Sequence, residues 1–178
     1  MSIPSLEDYM RWHKGAVPKD FCDELINRAE QTDEWHQAAL VDGGITTNHR
    51  NCSILRIERW PDLDTQLFHI LHEYAGRYTV DFPFLTLQRD EGYGLLKYTV
   101  GQFYLEHVDH ASSCPRALSC VIGIGGEFEG GDLVFWGGQR RYRLDQGDIL
   151  LFPASFMYPH AVEPVTKGVR YSLTTWFL

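Results

Sequence analysis

A chain of 178 residues with 44% hydrophobic and 22% charged content is long enough to bury a sizeable core, and reads as one water-soluble domain over 1–178. Its net charge of −8 and pI near 5.4 exclude nucleic acid and anionic membrane surfaces as principal partners. No apolar run approaches the roughly 18 residues of a membrane-spanning helix, and the N-terminus, Met-Ser-Ile-Pro-Ser-Leu-Glu-Asp, lacks the basic and apolar regions of a signal peptide.

The lead-in, residues 1–17, is expected to be irregular. From Pro18 to Glu30, Phe21, Leu25, Ile26 and Ala29 share one stripe, and a proline in the first turn fits a helix start. Gly43-Gly44 and Thr46-Thr47-Asn48 read as a loop. Over 52–59, Ile54, Arg56 and Glu58 alternate with Leu55 and Ile57, as in a strand with one solvated face. Pro61 opens a second helix, with Leu67, Leu71, Tyr74 and Tyr78 at helical spacing. This helix carries His69 and His72, which are read as surface residues rather than metal ligands.

After Pro83 the texture changes to short strands broken by Gly, Pro and Asp, the signature of a sandwich or barrel. Strands are expected near 84–89, 93–99, 102–109, 116–124, 131–136, 140–144, 148–152, 158–163 and 169–177. The fold class is therefore α+β, with helical support over about 1–80 and a jelly-roll (double-stranded β-helix) core over about 84–178. Aromatic content of 13% suits a β-rich fold with a lined cavity. The cysteines, Cys22, Cys52, Cys114 and Cys120, have no paired spacing, so four reduced thiols in a cytoplasmic protein are expected and a zinc site is not.

Within this core His107 and Asp109 are two apart, which on a strand puts an imidazole and a carboxylate on one face. Two legs of a 2-His-1-carboxylate facial triad, the ligand set of non-haem Fe(II) oxygenases, need that arrangement. With 8 His and 24 acidic residues, chance alone supplies about one such pair, so the rest of the chain must decide. His160, on a turn after the buried stretch Asp148–Pro153, lies where a jelly-roll returns a strand to face His107; taken alone it reads better as a solvated turn histidine. His110, beside Asp109, has the opposite parity and points away. On the last strand Arg170, Ser172, Thr174 and Trp176 share one face, and Val169, Tyr171, Leu173 and Phe177 the other. The second face is the apolar one, so Arg170 faces solvent or, if its face turns inward, requires an anion that its planar fork can grip.

The run Lys97-Tyr98-Thr-Val-Gly101-Gln-Phe-Tyr104-Leu-Glu-His107-Val-Asp109 resembles the iron-binding strand of prolyl-4-hydroxylase-type 2-oxoglutarate/Fe(II) dioxygenases. Further ordered blocks share the resemblance: Phe128 to Phe135, Gln146 to Phe152, and His160 to Phe177. It implies that His107, Asp109 and His160 bind Fe(II) and form the catalytic centre. Arg170, with Ser172, would hold the distal carboxylate of 2-oxoglutarate; Tyr98 would line the cosubstrate pocket, and Tyr104 would lie near the iron or the substrate. The chain departs from the family pattern at Val121 to Gly126, where many members carry an aromatic followed by Leu-Asn, so a tyrosine contact to 2-oxoglutarate is either missing or comes from Tyr98.

The implied activity is hydroxylation of a C–H bond with O2, releasing succinate and CO2, with ascorbate as a candidate reductant. A peptidyl proline is the expected target, and hence a protein or peptide the expected partner. The same chemistry on a free amino acid or other small molecule is the first alternative. A non-oxygenase jelly-roll metal-binding module is the second, and Arg170 argues against it because such a module has no need of a carboxylate anchor. A purely structural sandwich is the third, and its inward polar residues would be costly to bury. Substrate contacts are expected from less regular segments at the mouth, namely Arg50, Tyr93, Arg116 and Trp136. No motif specifies an oligomeric state.

Overall fold

The computed structural model describes residues 3–40 and 43–178, so the first two residues of the lead-in lie outside the described residues. In chain order it contains β1 (Arg11–His13), α1 (Lys19–Glu30), β2 (His36–Gln37), β3 (Arg50–Asn51), β4 (Ser53–Arg56) and α2 (Pro61–Asp81). There follow β5 (Gly94–Tyr98), β6 (Phe103–His107), β7 (Leu118–Gly125), β8 (Phe128–Gly130) and β9 (Leu133–Phe135). The chain ends with β10 (Arg140–Tyr142), β11 (Ile149–Pro153), β12 (His160–Val162), β13 (Val165–Gly168) and β14 (Arg170–Phe177).

Both helices form where apolar spacing predicts them. In α1 the buried stripe is Phe21, Cys22, Leu25 and Ala29, with Ile26 only half-buried at its edge. In α2, Leu63, Leu67, Leu71 and Ala75 recur every four residues and Tyr78 completes the stripe. Pro61 starts it, and the residue before Pro83 is barred from helical backbone, so α2 ends at Asp81.

The strands form a seven-stranded sheet in the order β1-β11-β7-β14-β5-β4-β2, a five-stranded sheet in the order β10-β9-β12-β6-β3, and a small β13-β8 pair, all paired antiparallel. Strand alternation divides the core in two. Leu95, Ile122, Leu151, Leu173 and Phe177 pack on the helices, while their neighbours Leu96, Val121, Leu150 and Phe152 face the second sheet. The large sheet is thus covered on both sides, as expected of an α+β jelly-roll, and β11 reads as a continuous apolar run.

The structure corrects several expected elements. Residues 84–89 form no strand: only one bridge, Asp90 to Phe177, lies beside the end of β14, and Phe84 is fully exposed. The lead-in is not irregular throughout, because a 3-10 turn at Leu6–Tyr9 precedes β1, which adds to the edge of β11. Asp148 holds β1 there by accepting from Trp12 Nε1 and the Gly15 amide, both at 2.9 Å. Three residues are too few to show a period. The strand expected over 52–59 stops at Arg56 and tightens into a 3-10 turn, although Leu55 and Ile57 are buried as alternation predicts.

Gly123 accounts for one position of the departure at 121–126. A Cβ there would sit 2.3 Å from the Asp145 carbonyl oxygen, so glycine lets the 145–148 turn close onto β7. In this packing Leu71, 1% exposed, is expected to lose about 2–5 kcal/mol of stability on Leu71→Ala, whereas Phe84→Ala at the surface stays within about 0.5 kcal/mol. Urea denaturation checks both, and equal midpoints for the two variants would contradict the packing.

Candidate metal centre

Antiparallel pairing of β12 with β6 sets His160 directly opposite His107, with ring centroids 4.3 Å apart. Asp109 lies two residues past the end of β6, in a bend rather than on the strand. Its Oδ1 is 3.7 Å from His107 Nε2 and its Oδ2 is 3.5 Å from His160 Nε2. One ligand atom from each residue falls within 4.8 Å of the others, and among the described residues no other group of His, Cys, Asp and Glu does so. His110 instead turns its Nδ1 to the Arg116 carbonyl, and His72 pairs with Asp90 on the helical side.

Both imidazoles are fixed in the same way. His107 Nδ1 donates to the Leu105 carbonyl at 2.8 Å, and His160 Nδ1 donates to the Tyr158 carbonyl at 3.0 Å. A carbonyl only accepts, so each proton sits on Nδ1 and each Nε2 lone pair faces Asp109. Burial, with His160 alongside, pushes the His107 imidazole down to about 3, so it is neutral, as a ligand must be. Burial also works against a charge on Asp109, but His160, His107 and the Ser119 hydroxyl outweigh it and hold the carboxyl below its usual range. Ser119 Oγ donates to Asp109 Oδ2 at 2.7 Å. Two imidazole nitrogens and one carboxylate on one side of a pocket fit Fe(II) with open positions left for other ligands.

The same cavity is lined by Arg50, Tyr98, Tyr104, Arg170, Ser172 and Thr174. Arg170 is 5% exposed, so its face of β14 turns inward, because α1 and α2 cover the opposite, apolar face. Its Nη1 donates to Ser172 Oγ at 2.8 Å, it has no carboxylate partner among the described residues, and its guanidinium carbon lies 5.2 Å from the centre of the Tyr98 ring. The Tyr98 and Thr174 hydroxyls are buried without partners. A buried cation beside unmatched hydroxyls fits a bound carboxylate such as the distal end of 2-oxoglutarate. With only Val121 reaching the cavity from β7, Tyr98 and Tyr104 are its tyrosines. Tyr104 stacks on His107 with centroids 3.5 Å apart.

The four residues expected at the mouth separate. Arg50 is inside the cavity, 7% exposed. Arg116 is bound by both oxygens of Glu91 and lies 3.6 Å over Trp176, so it braces the wall and is not free to clamp a substrate. Tyr93 is buried against the helices with its hydroxyl on Asp90, which corrects its expected place at the mouth. Trp136, on the β9–β10 turn, donates to the Met157 carbonyl and faces a different surface cleft. Ser119 went unrecognised in the sequence, although a lone polar residue inside the apolar run Leu118–Ile124 was the available signal.

Comparison with known proteins agrees with this geometry. The description "2OG-Fe(II) oxygenase superfamily" matches residues 93–178. A PKHD-type hydroxylase of Janthinobacterium sp. (strain Marseille) is 30% identical over 166 residues, covering 85% of this chain and 70% of that protein. A PKHD-type hydroxylase of Idiomarina loihiensis is 37% identical over 86 residues, but the match spans only 38% of that relative's length. A Pseudomonas putida prolyl-4-hydroxylase structure superposes with a TM-score of 0.80 at 22% identity, covering 94% of this chain and 91% of that one. The chain belongs to the family of PKHD-type hydroxylases, and its C-terminal half matches the 2OG-Fe(II) oxygenase superfamily.

Proposed function

We propose that this protein is a 2-oxoglutarate- and Fe(II)-dependent dioxygenase that hydroxylates a C–H bond, with a peptidyl proline as its substrate. One observation carries the reading: two histidines with pinned tautomers and a buried carboxylate open onto the same cavity as an arginine that has no carboxylate partner among the described residues. Iron bound there supplies, with 2-oxoglutarate and O2, oxidative decarboxylation to succinate and CO2 coupled to hydroxylation.

The chain's own residues do the rest. His107, Asp109 and His160 hold the metal, and the Leu105 and Tyr158 carbonyls keep the rings oriented. Arg170, Ser172 and the Tyr98 hydroxyl receive the distal carboxylate of the cosubstrate. Phe135 and Phe152, both fully buried with ring centroids 5.4 and 4.9 Å from that of His160, exclude water behind the centre. Ascorbate belongs to the reading as an auxiliary reductant. The setting is cytoplasmic, in keeping with four unpaired cysteines and with no described helix long and apolar enough to cross a membrane.

A peptide substrate is supported by likeness of fold to a prolyl hydroxylase of Trichoplax adhaerens solved with a peptide fragment of the hypoxia inducible factor oxygen degradation domain, at a TM-score of 0.82 and 17% identity, covering 95% of this chain and 83% of that one. The expected result is that a proline-containing peptide stimulates succinate formation and gains one oxygen atom by mass spectrometry, whereas free proline does neither. Oxidation of a free amino acid with every peptide untouched would transfer the activity to small molecules.

A further inference from the structure

Resting on the proposed oxygenase reading, we infer that Arg50 is the anchor for a carboxylate of the primary substrate. β3 is two residues long and pairs with β6, so that Arg50 stands opposite Tyr104. Its guanidinium carbon lies 4.6 Å from the centre of the Tyr104 ring, and that ring stacks on the His107 imidazole at 3.5 Å. Arg50 therefore carries its charge to within one aromatic side chain of a metal ligand.

Nothing in the described structure balances that charge. Arg50 Nη1 donates to the Ala39 carbonyl at 2.6 Å, while Nε is buried without a partner. Among the described residues, every arginine except Arg50, Arg170 and the exposed Arg89 pairs with a carboxylate. The two buried exceptions line the same cavity. An uncompensated buried cation is costly, and it persists where a ligand completes it.

Charge counting identifies the ligand's class. Arg170 takes one carboxylate of 2-oxoglutarate and the metal takes the other. A divalent ion, Asp109, doubly negative 2-oxoglutarate and two guanidiniums together leave a single positive charge in a site shielded from water. One carboxylate on the substrate neutralises it. That group is the α-carboxylate of an N-acylated amino acid, the C-terminal carboxylate of a peptide, or an acidic side chain within one, since the ammonium of a free amino acid would cancel its own carboxylate.

Calorimetry on protein loaded with Mn(II), which replaces iron without turnover, and saturated with 2-oxoglutarate tests the inference. The probes are matched pairs: N-acetylproline and its amide, a peptide ending in proline as acid and as amide, and an acetylated aspartate amide and its asparagine counterpart. Free proline is added as a single probe. In at least one pair the acid should bind at least about 30-fold tighter than its neutral partner, and the pair that does so identifies the source of the carboxylate. In Arg50→Gln, which keeps a donor for Ala39, that preference should collapse while 2-oxoglutarate affinity stays within about threefold, and Arg50→Lys should restore part of the preference. Thermal melting of Arg50→Gln without ligands should match or exceed the native chain, because an unpaired buried charge is gone.

Equal affinity for acid and neutral forms, or binding of no acid probe, would overturn the inference. So would an Arg50→Gln variant that loses 2-oxoglutarate instead, since Arg50 would then belong to the cosubstrate. Failure of the oxygenase reading shows separately, as absent 2-oxoglutarate binding before any probe is added.

Discussion

His160→Gln is expected to lose ferrous iron binding and to reduce 2-oxoglutarate turnover by more than about 100-fold, since even partners behind a metal ligand are worth about 10- to 100-fold. The ring sits in a packed setting, 4% exposed, with its centroid 4.9 Å from that of Phe152 and 5.4 Å from that of Phe135. Alanine would therefore leave a hole as well as remove a ligand, and glutamine separates the two effects by nearly preserving volume. Asp109→Asn should behave alike in metal binding, because it removes the only carboxylate of the cluster while keeping an acceptor for Ser119. Anaerobic titration with Fe(II) and 2-oxoglutarate, watched for the weak visible charge-transfer band of the chelate, gives the readout. A folded His160→Gln protein with the native band and near-native turnover would remove His160 from the metal centre.

The second large effect belongs to Arg170. Arg170→Ala should weaken 2-oxoglutarate binding by about 2–5 kcal/mol, roughly 30-fold to several thousandfold, because a buried carboxylate loses its charge-assisted partner. Arg170→Lys should recover only part, since lysine cannot present two parallel donors and would have to reach Ser172 Oγ, 2.8 Å from Arg170 Nη1. Ser172→Ala should cost less than either, as the guanidinium remains. The apparent 2-oxoglutarate KM, with direct binding to Mn(II)-loaded protein, orders the three. Equal and mild effects would place the distal carboxylate elsewhere.

These two expectations differ in how much of them was legible in the residues. The His107-x-Asp109 spacing, the apolar stripes of both helices and the parity of Arg170 with Ser172 are local properties, set by periods of two and 3.6 residues in the chain itself. Local geometry can say which side chains share a face. It cannot say which face turns inward, and for β14 the apolar face was the natural candidate for the interior. The structure buries both faces: helices α1 and α2 take Tyr171, Leu173 and Phe177, which leaves Arg170, Ser172 and Thr174 to line the cavity.

The same division runs through the rest of the site. Ligand types and their order along the chain are sequence properties, and so is the resemblance carried by the blocks from Lys97 to Phe177. The pinning of both imidazoles by backbone carbonyls and the Ser119 bond to Asp109 depend on strand register and on a bend after β6, which no residue pattern encodes. Arg50, Tyr93, Arg116 and Trp136 looked equivalent as polar or aromatic residues in irregular segments. Tertiary packing sent them to a cavity, a helical core, an ion pair and a separate cleft. Both helices, most of the strands and the chemical inventory could be read from the residues, because these follow from short-range periodicity and side-chain type. Which groups meet and which charges stay unpaired emerges only on folding, because that depends on which surface of each sheet the helices cover.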